Sequence, residues 1–161
     1  MAEPLPPPSP PAPTPAAGEL SRWIIERETA GGAIAGNELG DAIRTAFDRL
    51  RVSVAGLIGI VGFGAVMARA VHLARPRFPW LEAPAIGGDG TATAKELAAK
   101  VNANGEGPAE VIAAATALLE NILSLLCTFI GEDLTFRLIR RIWPDLPGGA
   151  AGGDSQEDKL P

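Results

Sequence analysis

The chain has 161 residues, a net charge of −5, one cysteine, one histidine and no tyrosine. One cysteine rules out an internal disulfide and any cysteine-built zinc or iron–sulfur site within one chain, and one histidine leaves little for metal binding or acid–base catalysis. The acidic balance speaks against general affinity for nucleic acid, and the N-terminus lacks the basic segment and apolar run of a secretory signal, so the expected location is cytoplasmic.

Residues 1–18 open with a proline-rich stretch, MAEPLPPPSPPAPTPAA, that favours an extended arm without internal hydrogen bonds. The folded domain is expected over residues 19–146. A first helix is predicted at Glu19–Glu28, with Trp23 and Ile24 as apolar anchors and Ser21 as its cap. The glycines of Ala30–Gly36 break it, and Asn37 or Asp41 begins the next helix.

That second helix reads through to about Ala74. Its centre, Val52–Ala68, is seventeen residues without a charge, bounded by Arg51 and Arg69. A spanning helix needs about 20 apolar residues, with a lower limit near 17, so this length sits on the boundary between core and lipid. On a helical wheel Asp41, Arg44, Asp48 and Arg51 share a face with Ala55, Gly59, Gly62, Val66 and Arg69. Ile43, Phe47, Leu50, Val54, Leu57, Ile58 and Val61 form the apolar arc. Four glycines between Gly56 and Gly64 would cost an exposed helix several times about 1 kcal/mol unless something compensates. Two explanations follow. Ala55, Gly59 and Gly62 let a second backbone approach for helix packing or self-association, or the helix kinks near Gly62–Gly64.

Pro76, Pro79 and Pro84 end this region. Thr93 and Glu96 have capping-box spacing for a short helix over Ala94–Val101. Pro108 then opens the longest clear helix, Pro108–Ile130, with an apolar arc of Val111, Leu118, Leu119, Ile122, Leu125, Leu126 and Phe129. Glu120 and Asn121 near its middle make it a core helix rather than a lipid-facing one. Gly131 punctuates. Glu132 and Asp133 start a last helix and Arg140 and Arg141 end it, each countering the helix dipole. Leu134, Leu138, Ile139, Ile142 and Trp143 are its expected buried side. The order apolar helix, glycine, arginine-bearing helix occurs twice, leading once to Phe-Pro-Trp-Leu (78–81) and once to Trp-Pro-Asp-Leu (143–146). Without closer residue identity this is an echo of composition rather than a repeat. Residues 147–161 are glycine-rich and then acidic, with too little apolar surface to order themselves.

The chemistry-bearing residues are sparse. His72, between Arg69 and Arg75, has no carboxylate to assist it as a base or ligand. Cys127 lies near a helix C-terminus, where the dipole opposes a thiolate. Six arginines against Asp41 and Asp48 give residues 41–80 a local +4, but no aromatic-interleaved basic motif accompanies them. The fold expected is an all-α, compact bundle of about five or six helices with disordered ends. The function expected is a non-catalytic bacterial adaptor, regulatory or assembly protein acting through protein–protein contacts, with no cofactor and no metal. Arg137, Arg140 and Arg141 are its candidate partner surface, and the partner is another protein or a second copy. The alternative is a membrane-associated protein inserting or docking through residues 52–68.

Overall fold

In the computed structural model, residues 15–32, 34, 36–82, 88, 90–101 and 107–146 are described. They form six helices: α1 (Pro15–Glu28), α2 (Gly36–Ile58), α3 (Ile60–Ala74), α4 (Thr91–Val101), α5 (Gly107–Ile130) and α6 (Glu132–Ile142), with a 3-10 turn at Ala30–Gly32 after α1. No strand occurs among the described residues, and the fold is an all-α bundle. The proline-rich residues 1–14 and the tail 147–161 lie outside the described residues.

Helical spacing of apolar residues builds the core. On α2, Leu39, Ile43, Phe47, Leu50 and Val54 point inward and are buried. Each fully buried side chain of this size contributes about 1.5–3 kcal/mol. The apolar α5 sits at the centre and packs against α1, α3, α4 and α6, while α2 pairs chiefly with α4. Among the described residues α5 is the one helix long and apolar enough to cross a membrane by composition, and most of its apolar length is buried inside the bundle. Its two central polar residues face protein. Asn121 Nδ2 donates to the Ala70 carbonyl at 3.1 Å. The Glu120 carboxylate lies against Gly18 of α1, 3.1 Å from where a Cβ there would stand.

Several local expectations shift. Ser21 is no cap: α1 begins at Pro15, so Ser21 is buried mid-helix and its hydroxyl donates to the Ala17 carbonyl at 2.7 Å. The arm therefore ends earlier than residue 18, because Ala17 is already in the core. Thr93 is likewise buried inside α4, which starts at Thr91. Glu96 serves another end, accepting from the Glu82 amide at 3.1 Å, and burial raises its pKa above the usual carboxylate range. Residues 41–74 are two helices, but the break is at Gly59 rather than Gly62–Gly64. On α6 the inward positions are Thr135, Leu138 and Ile139, a single i, i+3, i+4 stripe that leaves Leu134 exposed.

The first helix is tied to the end of the last at Glu28, the last residue of α1. Its carboxylate oxygen accepts from the buried Trp143 indole N–H at 2.7 Å and from Arg49 of α2 at 3.2 Å. The Glu28 side chain is only 12% exposed. Arg27 and Asp145 add an ion pair at 2.6 Å, but both are about half exposed, which limits its worth.

Two stability measurements check this picture. A chain beginning at residue 19 should be less stable than one beginning at residue 15 by about 1–3 kcal/mol, since it loses Ala17 and orphans the buried Ser21 hydroxyl. Glu28→Ala should cost a similar amount, about 1–3 kcal/mol, because the Trp143 N–H is left buried without an acceptor. Trp143→Phe, which removes that donor too, should suppress most of the Glu28→Ala penalty in a double-mutant cycle read by chemical denaturation.

Candidate contact surface

Two helix pairs turn on a single glycine. Gly59 joins α2 to α3 at φ 88°, ψ 161°, and Gly131 joins α5 to α6 at φ 94°, ψ 156°. This backbone region is essentially restricted to glycine. Helical hydrogen bonding continues on both sides of each elbow. The Gly59 amide donates to Ala55 and the Phe63 amide to Gly59; the Gly131 amide donates to Cys127 and the Thr135 amide to Gly131. The halves also end alike. Phe78 and Trp143 donate to the carbonyls of Ala74 and Ile139, and Leu81 and Leu146 then donate back to Phe78 and Trp143. What the sequence shows as an echo of composition is thus one backbone plan used twice.

Both elbows lie at one end of the bundle. As the chain advances from Ala70 to Trp80, its hydrogen-bond partner on α5 retreats from Asn121 to Glu110, so α3 and α5 run antiparallel. α3 therefore starts where α5 ends. From there α6 returns along α2 until Trp143 comes level with Arg49 through their shared Glu28.

Of the six exposed large apolar side chains among the described residues, five lie at this end: Leu57, Ile60 and Val61 around the first elbow, Phe129 and Leu134 around the second; Val52 lies two turns back along α2, beside Ile142. Val61 is 67% exposed and Phe129 64%. At the second elbow Ile130, Gly131, Glu132, Asp133, Leu134 and Arg137 line a shallow, open depression. The two elbows differ in charge. Neither helix start has a side-chain cap; α3 has no acidic residue in its first turn, whereas α6 starts with Glu132 and Asp133.

The structure relocates the expected contact residues. Gly59 is exposed and no atom lies within 4 Å of where its Cβ would be, while a Cβ at Gly62 would meet only its own neighbour Ile58. Ala55 is half-buried against the core. Ala55, Gly59 and Gly62 therefore form no seam for a second helix within the chain. The wheel that aligned them assumed a continuous helix, and the elbow resets its register. Arg137 and Arg141 are exposed on one face of α6, one turn apart, but Arg140 turns inward, half-buried and engaged with a partner. Leu57, Ile60 and Val61 fall within the 52–68 segment expected as the alternative docking surface, whereas Phe129 and Leu134, expected on apolar helix faces, are exposed as well. Their signal was present as the uncharged run flanking a glycine.

The remaining reactive groups lie apart from this end's exposed face or lack helpers. His72 is exposed on α3. Cys127 is half-buried, and burial raises its thiol pKa more than the nearby Thr135 lowers it. Trp80 and Trp143 each direct the indole N–H to a carboxylate, Glu110 at 3.3 Å and Glu28 at 2.7 Å, as tryptophans covering a helical core do. No cluster of three His, Cys, Asp or Glu side chains able to hold a metal occurs among the described residues. Compared with known proteins, the chain matches no family model, no curated protein and no solved structure.

The elbow geometry changes what substitution at Gly59 should do. With open space around it, Gly59→Ala and Gly59→Leu should cost about the same, about 1–3 kcal/mol each, because both force the same backbone strain. Close helix packing would instead make the leucine variant much worse than the alanine variant. Thermal or urea denaturation of the two variants separates the cases.

Proposed function

We propose that this protein is a non-catalytic helical adaptor or assembly protein that acts by protein–protein contact through the elbow end of its bundle. The observation that carries this reading is the concentration of exposed Leu57, Ile60, Val61, Phe129 and Leu134 at one end. A large exposed apolar patch with a polar rim marks an interaction site in a folded protein. Glu132, Asp133 and Arg137 supply that rim, and Arg141 extends it along α6. Rim charges of this kind govern encounter and specificity more than affinity. Gly59 divides the uncharged run 52–68 into two short helical pieces, and Val54, Phe63, Val66 and Met67 within it belong to the core. That division favours a surface that docks over a segment that spans.

The test is a chain carrying Leu57→Asp and Val61→Asp. Both positions are exposed, so it should keep the parent's melting temperature and helical signal while losing stoichiometric protein–protein association. Flotation with phosphatidylserine-containing vesicles at physiological salt should be absent for parent and variant alike. Salt-resistant flotation of the parent, lost in the variant, would replace the protein-contact reading with membrane docking.

A further inference from the structure

We infer that the exposed face of α3 docks an acidic helix of a partner protein, with Arg69, His72 and Arg75 set against its carboxylates. The inference rests on the reading of this protein as one that acts by protein contact, and adds the chemistry of the partner.

The basic island of residues 41–80 divides at the first elbow. Its three arginines on α2 are all ion-paired: Arg44 with Asp41 at 3.2 Å, Arg49 with Glu28 at 3.2 Å and Arg51 with Asp48 at 3.4 Å. The three beyond the elbow, Arg69, Arg75 and Arg77, are exposed and make no ion pair among the described residues. The sequence supplies the reason, since no aspartate or glutamate occurs between Asp48 and Glu82. Carboxylates on the helices packed against α3 are engaged elsewhere. Asp41 and Asp48 hold the α2 arginines, Glu110 of α5 accepts from Trp80, and Glu120 lies against α1. The dipole at a helix C-terminus favours a cation there, which accounts for Arg75. It does not account for Arg69, upstream of the last turn, or for Arg77, past the end of α3 with its guanidinium 5.1 Å from the Phe78 ring centre.

Arg69, His72 and Arg75 stand on successive turns of one exposed face and span about 9 Å of helix at 1.5 Å per residue. Carboxylates at i, i+4 and i+7 of a facing helix span about the same length. Toward the elbow this face continues through Ala65 and Ala68, small side chains that let a second helix come close, to the exposed Val61. A net charge of −5 and the carboxylates of α2 and α5 beside the strip disfavour a broad polyanion such as a nucleic-acid duplex or an anionic bilayer. A single acidic helix meets α3 alone.

The experiment is fluorescence anisotropy of a labelled alanine-rich helical peptide with glutamates at i, i+4, i+7 and i+11, titrated with the full chain at low salt. Its counterpart with glutamine at those positions is measured beside it. The glutamate peptide should bind, the glutamine peptide should bind about tenfold or more weakly, and salt should weaken the difference. The pair Arg69→Gln and Arg75→Gln should weaken binding of the glutamate peptide by about fivefold or more while keeping the parent's melting temperature. The pair Arg137→Gln and Arg141→Gln, exposed on α6, should change it by less than about twofold. No preference for glutamate over glutamine overturns the inference, as does equal weakening by the two arginine pairs. Displacement of the peptide by single-stranded DNA or phosphatidylserine vesicles at lower concentration of negative charge overturns a protein helix as the occupant. The chain carrying Leu57→Asp and Val61→Asp separates this inference from the reading beneath it. Protein–protein association lost in that chain but untouched by Arg69→Gln and Arg75→Gln refutes the basic strip alone, and association untouched by either pair refutes both.

Discussion

A helix that must change direction without a loop has few backbone solutions, and this chain uses one of them twice. At Gly59 and Gly131 one residue leaves the helical region while the hydrogen bonds before and after it remain helical. No connecting segment is then available to fold over the turn. Several side chains near each elbow are consequently left in solvent, among them Leu57, Ile60, Val61, Phe129 and Leu134, while Ile58 stays packed against the core. The exposed apolar end follows from the way the helices are joined, and the remainder of the bundle is arranged around the two helix pairs so produced.

The polar ties are distributed away from that end. Trp143 and Arg49 meet at Glu28, Trp80 meets Glu110, and the Glu82 amide meets Glu96. Each links segments distant in sequence through a carboxylate, a charge-assisted bond of the stronger kind. Stability and contact are thus separated in space. Substitutions at the elbow apices act on an exposed surface, whereas those at Glu28 act on how three helices are assembled. Such separation lets the exposed apolar end vary in sequence without unfolding the scaffold that presents it.

Much of the architecture was legible because it rests on periodicity and on strong stops. The apolar arcs of α2 and α5, the proline-rich exit from α3, Pro108 at the start of α5 and the acidic start of α6 all express local chemistry. What could not be read locally was tertiary. Ser21 and Thr93 look like caps because short hydroxyl side chains favour helix starts, yet each is inside a helix that begins earlier. Leu134 looks like core because it is apolar, but the stripe that packs is fixed by Leu138 and Ile139, and Thr135 takes the inward place with its hydroxyl bonded to the Gly131 carbonyl. The surface was misread for the same reason. A wheel drawn through Gly59 joins faces that the elbow rotates apart, so the small residues lost their common face, and Val61, placed on the apolar arc with Val54 and Leu50, is exposed instead of buried with them.

The position of α1 has a consequence for how the chain acquires its structure. Of the six described helices it comes first in the chain, yet it rests chiefly on α5, and its terminal Glu28 waits for Trp143, 115 positions downstream. Contacts of such separation form late, because the intervening chain must be closed before they return any stability. While α2, α3 and α4 collect their nearer partners, Leu20, Ile24 and Ile25 have no completed surface to cover. α1 is therefore secured late, and a polypeptide interrupted before α5 leaves α1 without its main packing surface and open to proteolysis.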